Sequence, residues 1–582
     1  MLRDVDVERL SDRTTVGVFF RQAARFGDRT IVRYHDGEGW RGMSWQRMAE
    51  LTRRVAARLV GEGVEAGDRV AIMAENCVEW LYSDLAIQTV GAVSVPIYPS
   101  TPASMAQVIA DDAGTRLAFV ADGLAGRLRV ERLVRVAADL PGWVAGEADP
   151  ELLAQVAARA AAVGPDDLAT LVYTSGTTGV PKGVMLPHRG FVDMAHSCLE
   201  VFDLGPEDEG LSFLPYSHVF ERVSGIFVGM VAGSSAWIAR GAPRLVDDLQ
   251  ECRPTVMVSV PRVYEKMHQQ VTAIVREQPA HRRAIFAWAV EQGRRRSRGQ
   301  LAPLHPLAER LVLRPLRRRL TGGRLRFFVS GGAALSAEVE SFFWAIGVKI
   351  LNGWGMTETT SGATSNTEQR HRFETVGPPL PGVELRVAGD GEILVRSPGN
   401  MLGYHNNPEA TAETLRDGWV LTGDIGEVDA DGFLRITDRK KELLKTAGGK
   451  YVAPAPMEAR LMQDPAIERA VVVGDERPYV TALVVPDWRT LEATEGVSGR
   501  PEDLLEDERV LATVRRTVDE LNRDLGSWET IKYFTILPHD FTEEAGELTP
   551  TLKVKRRAVM ERYRDQIETM YRDGVRPESA AH

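Results

Sequence analysis

The eleven residues Tyr173-Thr-Ser-Gly-Thr-Thr-Gly-Val-Pro-Lys-Gly183 constrain this chain more than any other stretch. An apolar run, Ala169-Thr-Leu-Val-Tyr173, precedes them and Val184-Met-Leu186 follows, so two strands are expected around a glycine-rich turn. Gly176, Gly179 and Gly183 let backbone approach a ligand closely. Ser175, Thr177 and Thr178 supply hydroxyls, Lys182 a mobile charge, and Pro181 stiffens the turn. A Walker A loop places Lys directly after Gly and opens a helix; here Pro181 precedes Lys182. The pattern therefore predicts a phosphate loop on a hairpin, whereas a plain polar turn would leave so many donors beside a lysine unexplained.

Around that loop, helical and strand patterns alternate. Trp45 to Gly61 reads as an amphipathic helix, Arg69 to Met73 as a strand, Val78 to Val90 as a helix, and Ala92–Ile97 and Leu117–Val120 as strands. Candidate strands continue at Gly210–Leu214, Ser235–Ala239 and Thr255–Val260. Such alternation predicts an α/β fold with a largely parallel sheet. At 582 residues one core is too few. Near residue 438 the texture changes to Lys/Glu-rich segments, strands at 470–474 and 480–485, and helices at 507–525 and 558–571. The expected division is a large domain at 1–438 and a small α+β domain at 439–582.

A net charge of −10 argues against a general nucleic-acid binder. Cys77, Cys198 and Cys252 fit neither a metal spacing nor a disulfide framework, which points to a reducing cytoplasm. The first residues lack the basic-then-apolar pattern of a secretory signal, and no apolar run is long enough to span a bilayer. Lysines number only ten, the other 61 of the 71 basic residues being arginine. Most of those lysines fall inside the motifs. Residues 265–320 are helix-rich and basic, with Arg294-Arg-Arg296, Arg298 and Arg317-Arg-Arg319. A solvated helical insertion is the first expectation there, and peripheral contact with acidic headgroups the second.

Further motifs carry chemistry. Asn352-Gly-Trp-Gly-Met-Thr-Glu-Thr359 joins tight backbone at Gly353 and Gly355 to a stacking face (Trp354), Met356, Thr357 and a carboxylate suited to a hard cation (Glu358). Ser330-Gly-Gly-Ala-Ala-Leu-Ser336 is a strand-to-helix turn whose Gly331, Gly332 and Ala333 suit an adenine edge. In Trp419-Val-Leu-Thr-Gly-Asp-Ile425, Asp424 stands at an expected strand end, able to accept from ribose hydroxyls. Asp438 to Pro454 combines a charged hinge with a Gly-rich turn, and Leu548-Thr-Pro-Thr-Leu-Lys-Val-Lys-Arg556 closes the pattern.

Together these stretches resemble the adenylate-forming enzymes, which include acyl-CoA synthetases, peptide-synthetase adenylation domains and luciferases. The resemblance covers nearly the whole chain and is closest to long-chain fatty acid–CoA ligases. It implies ATP and coenzyme A as substrates, Mg²⁺ held through Glu358 and Thr174, and Thr357 at the α-phosphate. It implies nucleotide contacts from residues 174–179 with Lys182, from Asn352 to Met356, and from Asp424, Ile436 and Arg439. Lys441 matches the hinge, Gly448 and Gly449 the thiol-tunnel loop, and Lys553 the catalytic lysine, favoured over Lys555 on spacing. The usual Ser-Gly before that lysine is Thr551-Leu552 here, a departure shared with long-chain members. Leu214-Pro-Tyr-Ser-His-Val-Phe-Glu-Arg222 resembles the segment flanking the acyl pocket, which places His218 near the reacting carboxylate. Its implied reaction is activation of a fatty acid to acyl-AMP, then transfer to coenzyme A. The rivals are an acyl-AMP ligase that loads a carrier protein and a medium-chain or aromatic acyl-CoA ligase. With no carrier domain after His582, a synthetase module is not expected.

Overall fold

The computed structural model describes residues 7–174, 181–440, 442–448, 450–548 and 554–572. Its architecture is α/β: two large sheets interleaved with helices, a smaller antiparallel sheet, and a compact C-terminal α+β unit.

The first large sheet has seven strands. Arg69–Met73, Val93–Pro96, Leu117–Val120 and Arg132–Arg135 run parallel, each preceded or followed by a helix that covers the sheet. Helix Trp45–Gly61 shows why: Ser44 caps its start by accepting from the Arg47 amide, and Trp45, Met48, Val55 and Leu59 recur on one face and are buried. Each such side chain contributes roughly 2 kcal/mol of burial. Leu168–Thr174 pairs antiparallel with Lys182–Pro187, and Thr174 lies opposite Lys182. The expected hairpin flanks are thus paired, and residues 175–180 lie outside the described residues.

The second sheet has eight strands, six of them parallel, among them Glu209–Ser212, Ser235–Ile238, Val256–Ser259, Phe327–Ser330 and Lys349–Trp354. The last of these strands does not stop at the apolar run that precedes Asn352. It continues through Asn352, Gly353 and Trp354 because Thr364–Ser365 pairs antiparallel with its end.

Residues 384–439 form a five-stranded antiparallel sheet that the alternation pattern did not announce. Asp424 is not at a strand end: Trp419–Val428 runs through it, and Asp424 faces Arg439 across the ladder. Beyond it, Ile467–Val473, Val480–Pro486 and Ile531–Ile536 make a three-stranded sheet. Helices Pro454–Leu461 and Glu508–Asn522 pack on one face of it. The other face carries the C-terminal helical segment, which is two helices, Arg556–Arg562 and Arg564–Tyr571, rather than the single one expected. Arg262 pairs with Glu468 and Gln463 donates to Ser336 at 3.4 Å, tying this unit to the large one.

Candidate active site

One cavity of about 1470 Å³ collects residues from every part of the fold. Its polar wall carries Thr174 and Lys182 from the hairpin, Gly331 and Gly332 from the strand-to-helix turn, and Gly353 to Glu358. Asp424 and Arg439 join them from the antiparallel sheet. From the C-terminal unit come Leu444, Leu548, Val554 and Lys555. Pockets for one small ligand span some 300–1,000 Å³, so this one has room for more than one substrate.

Asp424 is held from both sides. The Trp354 indole donates from Nε1 to Oδ2 at 2.7 Å, and Arg439 Nε donates to Oδ1 at 3.0 Å. Beneath them Gly423, at φ +71°, turns its amide to Glu392 Oε1 (2.9 Å) and its carbonyl to the Lys440 amide (2.7 Å). A side chain there would force an L-residue into left-handed backbone. Lys440 Nζ bonds Glu392 at 2.8 Å and Asp390 at 2.6 Å. Trp354 therefore serves as a hydrogen-bond donor here, where sequence reasoning gave it only a stacking face.

Glu358 lies in a short helical turn, Thr357–Thr359. A Cβ on Gly355 would sit 1.7 Å from the Ser361 carbonyl, so only glycine lets the chain fold back tightly there. The Tyr404 hydroxyl donates to Glu358 Oε1 at 2.7 Å, and Lys182 Nζ stands 5.0 Å from the centre of the Tyr404 ring. Burial raises the Glu358 carboxyl above its ordinary value, while the Tyr404 bond, Arg439 and Lys182 act the other way. Tyr404 was not singled out from sequence, since 46 residues separate it from Glu358 and no spacing signals the pair.

Among the described residues no cluster of three or more His, Cys, Asp or Glu side chains is set to hold a metal. Magnesium keeps most of its shell as water and phosphate and needs only one or two protein oxygens. The buried Glu358 carboxylate and the Thr174 side chain, both on the cavity wall, are a hard donor set of that kind.

The remaining wall is apolar. Phe202, Leu204, Met230, Val258 and Phe327 line it, with Ser212 and Glu221 among them. His218 also borders the cavity: its Nδ1 accepts from the Phe220 amide at 3.1 Å, and Tyr98 lies beside its ring. Glu221 stands on a π-helix, Phe220–Phe227, fully buried and bonded to the Ser212 hydroxyl. Burial pushes its carboxyl up to about 8, Ser212 opposing. Such widened turns are frequent at functional sites.

Several expected residues are elsewhere. Asn352 is buried in its strand, and its carbonyl accepts from the Asn366 amide. Ala333 and Gly448 do not line the cavity, and Ile436 packs against the main core instead, separated from Asp438 and Arg439 by a β-bulge in the ladder. Ser175, Gly176, Thr177, Thr178, Gly179, Lys441, Gly449 and Lys553 lie outside the described residues.

Residues 19–405 match the family described as AMP-binding enzyme, and residues 441–574 match the AMP-binding enzyme C-terminal domain. The long-chain-fatty-acid–CoA ligase FadD15 of Mycobacterium bovis is 38% identical over 567 residues, covering 91% of this chain and 92% of that protein. The long-chain-fatty-acid–CoA ligase ACSBG1 of Mus musculus is 28% identical over 620 residues, covering 96% of this chain and 85% of its own. In fold, the chain is similar to a crystal structure of the anthranilate CoA ligase AuaEII in complex with anthranoyl-AMP. That likeness has a TM-score of 0.72 at 21% identity and covers 94% and 97% of the two chains.

Proposed function

The chain belongs to the family of AMP-binding enzymes, and from that membership we propose that it couples a long-chain fatty acid to coenzyme A, consuming ATP. It is an AMP-forming ligase of carbon–sulfur bonds. The observation that carries the substrate class is one cavity joining the Lys182, Glu358, Asp424 and Arg439 wall to an apolar wall of Phe202, Leu204, Met230, Val258 and Phe327.

A carboxylate is a poor electrophile, and two anions repel as they meet. In the first half-reaction the carboxylate oxygen attacks the α-phosphorus of ATP and pyrophosphate leaves. Asp424 accepts from the ribose hydroxyls, Arg439 adds positive charge at the ribose or phosphates, and Lys182 with residues 174–179 faces the departing pyrophosphate. Thr357 stands at the α-phosphate. Lys553 bridges carboxylate and phosphate, and Leu548 and Val554 on either side of its segment both line the cavity. Glu358 and Thr174 would hold magnesium, which supplies charge neutralisation to the phosphate oxygens when bound. His218 positions the carboxylate. These are positioning and electrostatic effects.

In the second half-reaction the thiol of coenzyme A attacks the acyl carbonyl and AMP leaves. We assign residues 1–438 to nucleotide and acyl binding and residues 439–582 to a mobile lid that exchanges Lys553 for a thiol passage. Lys441 and the Gly448-Gly449 loop form its switch. Peripheral contact with a bilayer suits a substrate that partitions into lipid. Among the described residues no helix is long and apolar enough to cross a membrane.

Pyrophosphate release measured over an acyl-chain series, with and without coenzyme A, tests this reading. Turnover rising toward long chains and yielding acyl-CoA supports it. Acyl-AMP that accumulates in the presence of coenzyme A, or a preference for short or aromatic acids, overturns it.

A further inference from the structure

The basic helical segment turns leucines outward. Leu301 is 91% exposed, Leu304 51%, Leu307 49% and Leu311 58%. Leu307 and Leu311 stand four residues apart on the helical run His305–Thr321, which passes through a π-turn at Glu309–Leu313, and Leu304 caps its start three residues before Leu307. The opposite side of the same helix is an ordinary core face: Ala308, Leu313 and Leu320 are buried in one cluster with Tyr264, Phe328 and Phe343. A helix apolar on two sides buries one of them inside the protein and leaves the other in need of a cover.

The charge beside these leucines is one-sided. Residues 294–319 hold nine arginines and one glutamate in a chain of net charge −10. That glutamate, Glu309, is engaged by Arg317 at 3.0 Å and by Arg314 at 3.7 Å. Arg310, Arg314 and Arg318 follow at four-residue spacing along the rim of the leucines, and Arg310 and Arg318 make no ion pair among the described residues. Cations alone would suit any polyanion. Protruding leucines gain nothing against a phosphate backbone, but they gain burial at the boundary between lipid headgroups and acyl chains.

We propose that this face docks the protein on an anionic phospholipid bilayer, with Leu304, Leu307 and Leu311 entering the interface and Arg310, Arg314 and Arg318 on lipid phosphates. The proposal goes beyond the acyl-CoA ligase reading and draws on it only for a lipid-borne substrate. Binding is measured without turnover, so the two fail separately.

The test is flotation of the full chain with vesicles of equimolar phosphatidylglycerol and phosphatidylcholine, against vesicles of phosphatidylcholine alone. Binding to the anionic vesicles is expected to exceed binding to the neutral ones by about tenfold or more and to weaken with salt. The double variant L307S/L311S is expected to lose about tenfold at every salt concentration, and R310Q/R314Q/R318Q to flatten the salt dependence. L301S, which alters the most exposed leucine outside any helix, reads the same loss where the double variant melts early. Medium-chain acid turnover in solution stays unchanged in all three. Equal binding to both vesicle types, or leucine variants that float like the parent, would overturn the proposal. So would a short DNA duplex that displaces the protein from vesicles and binds the leucine variants as tightly as the parent.

Discussion

The Trp354 indole donates a 2.7 Å hydrogen bond to Asp424, although 70 residues separate the two in sequence. With Arg439 on the other oxygen, the carboxylate that we assign to the ribose hydroxyls is held in direction by two partners. Trp354→Phe keeps a ring and deletes the donor. A neutral-to-charged bond of this kind is worth roughly 1.5 kcal/mol. The ATP KM is expected to rise about tenfold with kcat within twofold, read by steady-state kinetics; an unchanged KM would detach Trp354 from nucleotide binding.

Tyr404 holds Glu358 by one hydroxyl and carries Lys182 over its ring face. Tyr404→Phe removes only the hydroxyl. Magnesium titration of the variant should show a requirement raised about tenfold, while Lys182 keeps its ring. Parent-like magnesium dependence would mean that Tyr404 does not orient the carboxylate.

For the lysines near the C-terminus, separate half-reactions decide. Lys553→Ala should lose pyrophosphate exchange by about a thousandfold yet retain thioester formation from supplied acyl-AMP, since the first step alone needs a cation between two anions. Lys555→Ala should change either step by no more than about fivefold. The reverse pattern would move the role to Lys555.

Glu221 makes stability depend on pH. Its folded carboxyl stands at about 8 against an ordinary 4.5, so the unfolded chain releases its proton first. Between those values the native state binds the extra proton, and its stability falls as pH rises; below 4.5 the group contributes nothing. Glu221→Gln carries no such proton. The unfolding free energy of the variant minus that of the parent should therefore rise with pH from 4.5 to 8, by on the order of 4 kcal/mol. Chemical denaturation across that range tests this, and parallel pH profiles would refute it.

Arg222 is buried against Asp84, with bonds of 2.5 and 3.1 Å, and donates to Thr170 at 2.7 Å. Arg222→Ala strands the Asp84 carboxylate in the core. A loss of roughly 3–5 kcal/mol is expected in equilibrium unfolding, and a cost under about 1 kcal/mol would show that water reaches Asp84.

Local patterning in the sequence carried the elements well. Trp45–Gly61, Arg69–Met73 and Leu117–Val120 have the bounds that periodicity alone predicted, because burial on one face is written every third or fourth residue in a helix, and a short apolar run bounded by turns suffices for a buried strand. The five-stranded sheet of residues 384–439 was not legible, since several of its strands are short or half-exposed and only Glu392–Arg396 pairs across a long interval, with Trp419–Val428. The C-terminal helix was read as one piece because nothing in its pattern marks the break at Tyr563.

The amino-acid order determined the chemistry on offer: a glycine-rich phosphate loop, an acidic residue for a cation, an aspartate for a ribose, and lysines where arginine otherwise prevails. These are local properties of residue type and spacing. The tertiary structure alone decided which of them share one cavity and who holds them there. Tyr404 on Glu358, Trp354 on Asp424 and Glu392 under Gly423 are contacts between segments far apart in the chain. Ile436 packs in the core rather than the site, on the far side of a β-bulge from Arg439. A hydrogen bond acts over some 3 Å of space, whatever the number of residues between its partners, and only the folded chain sets that distance.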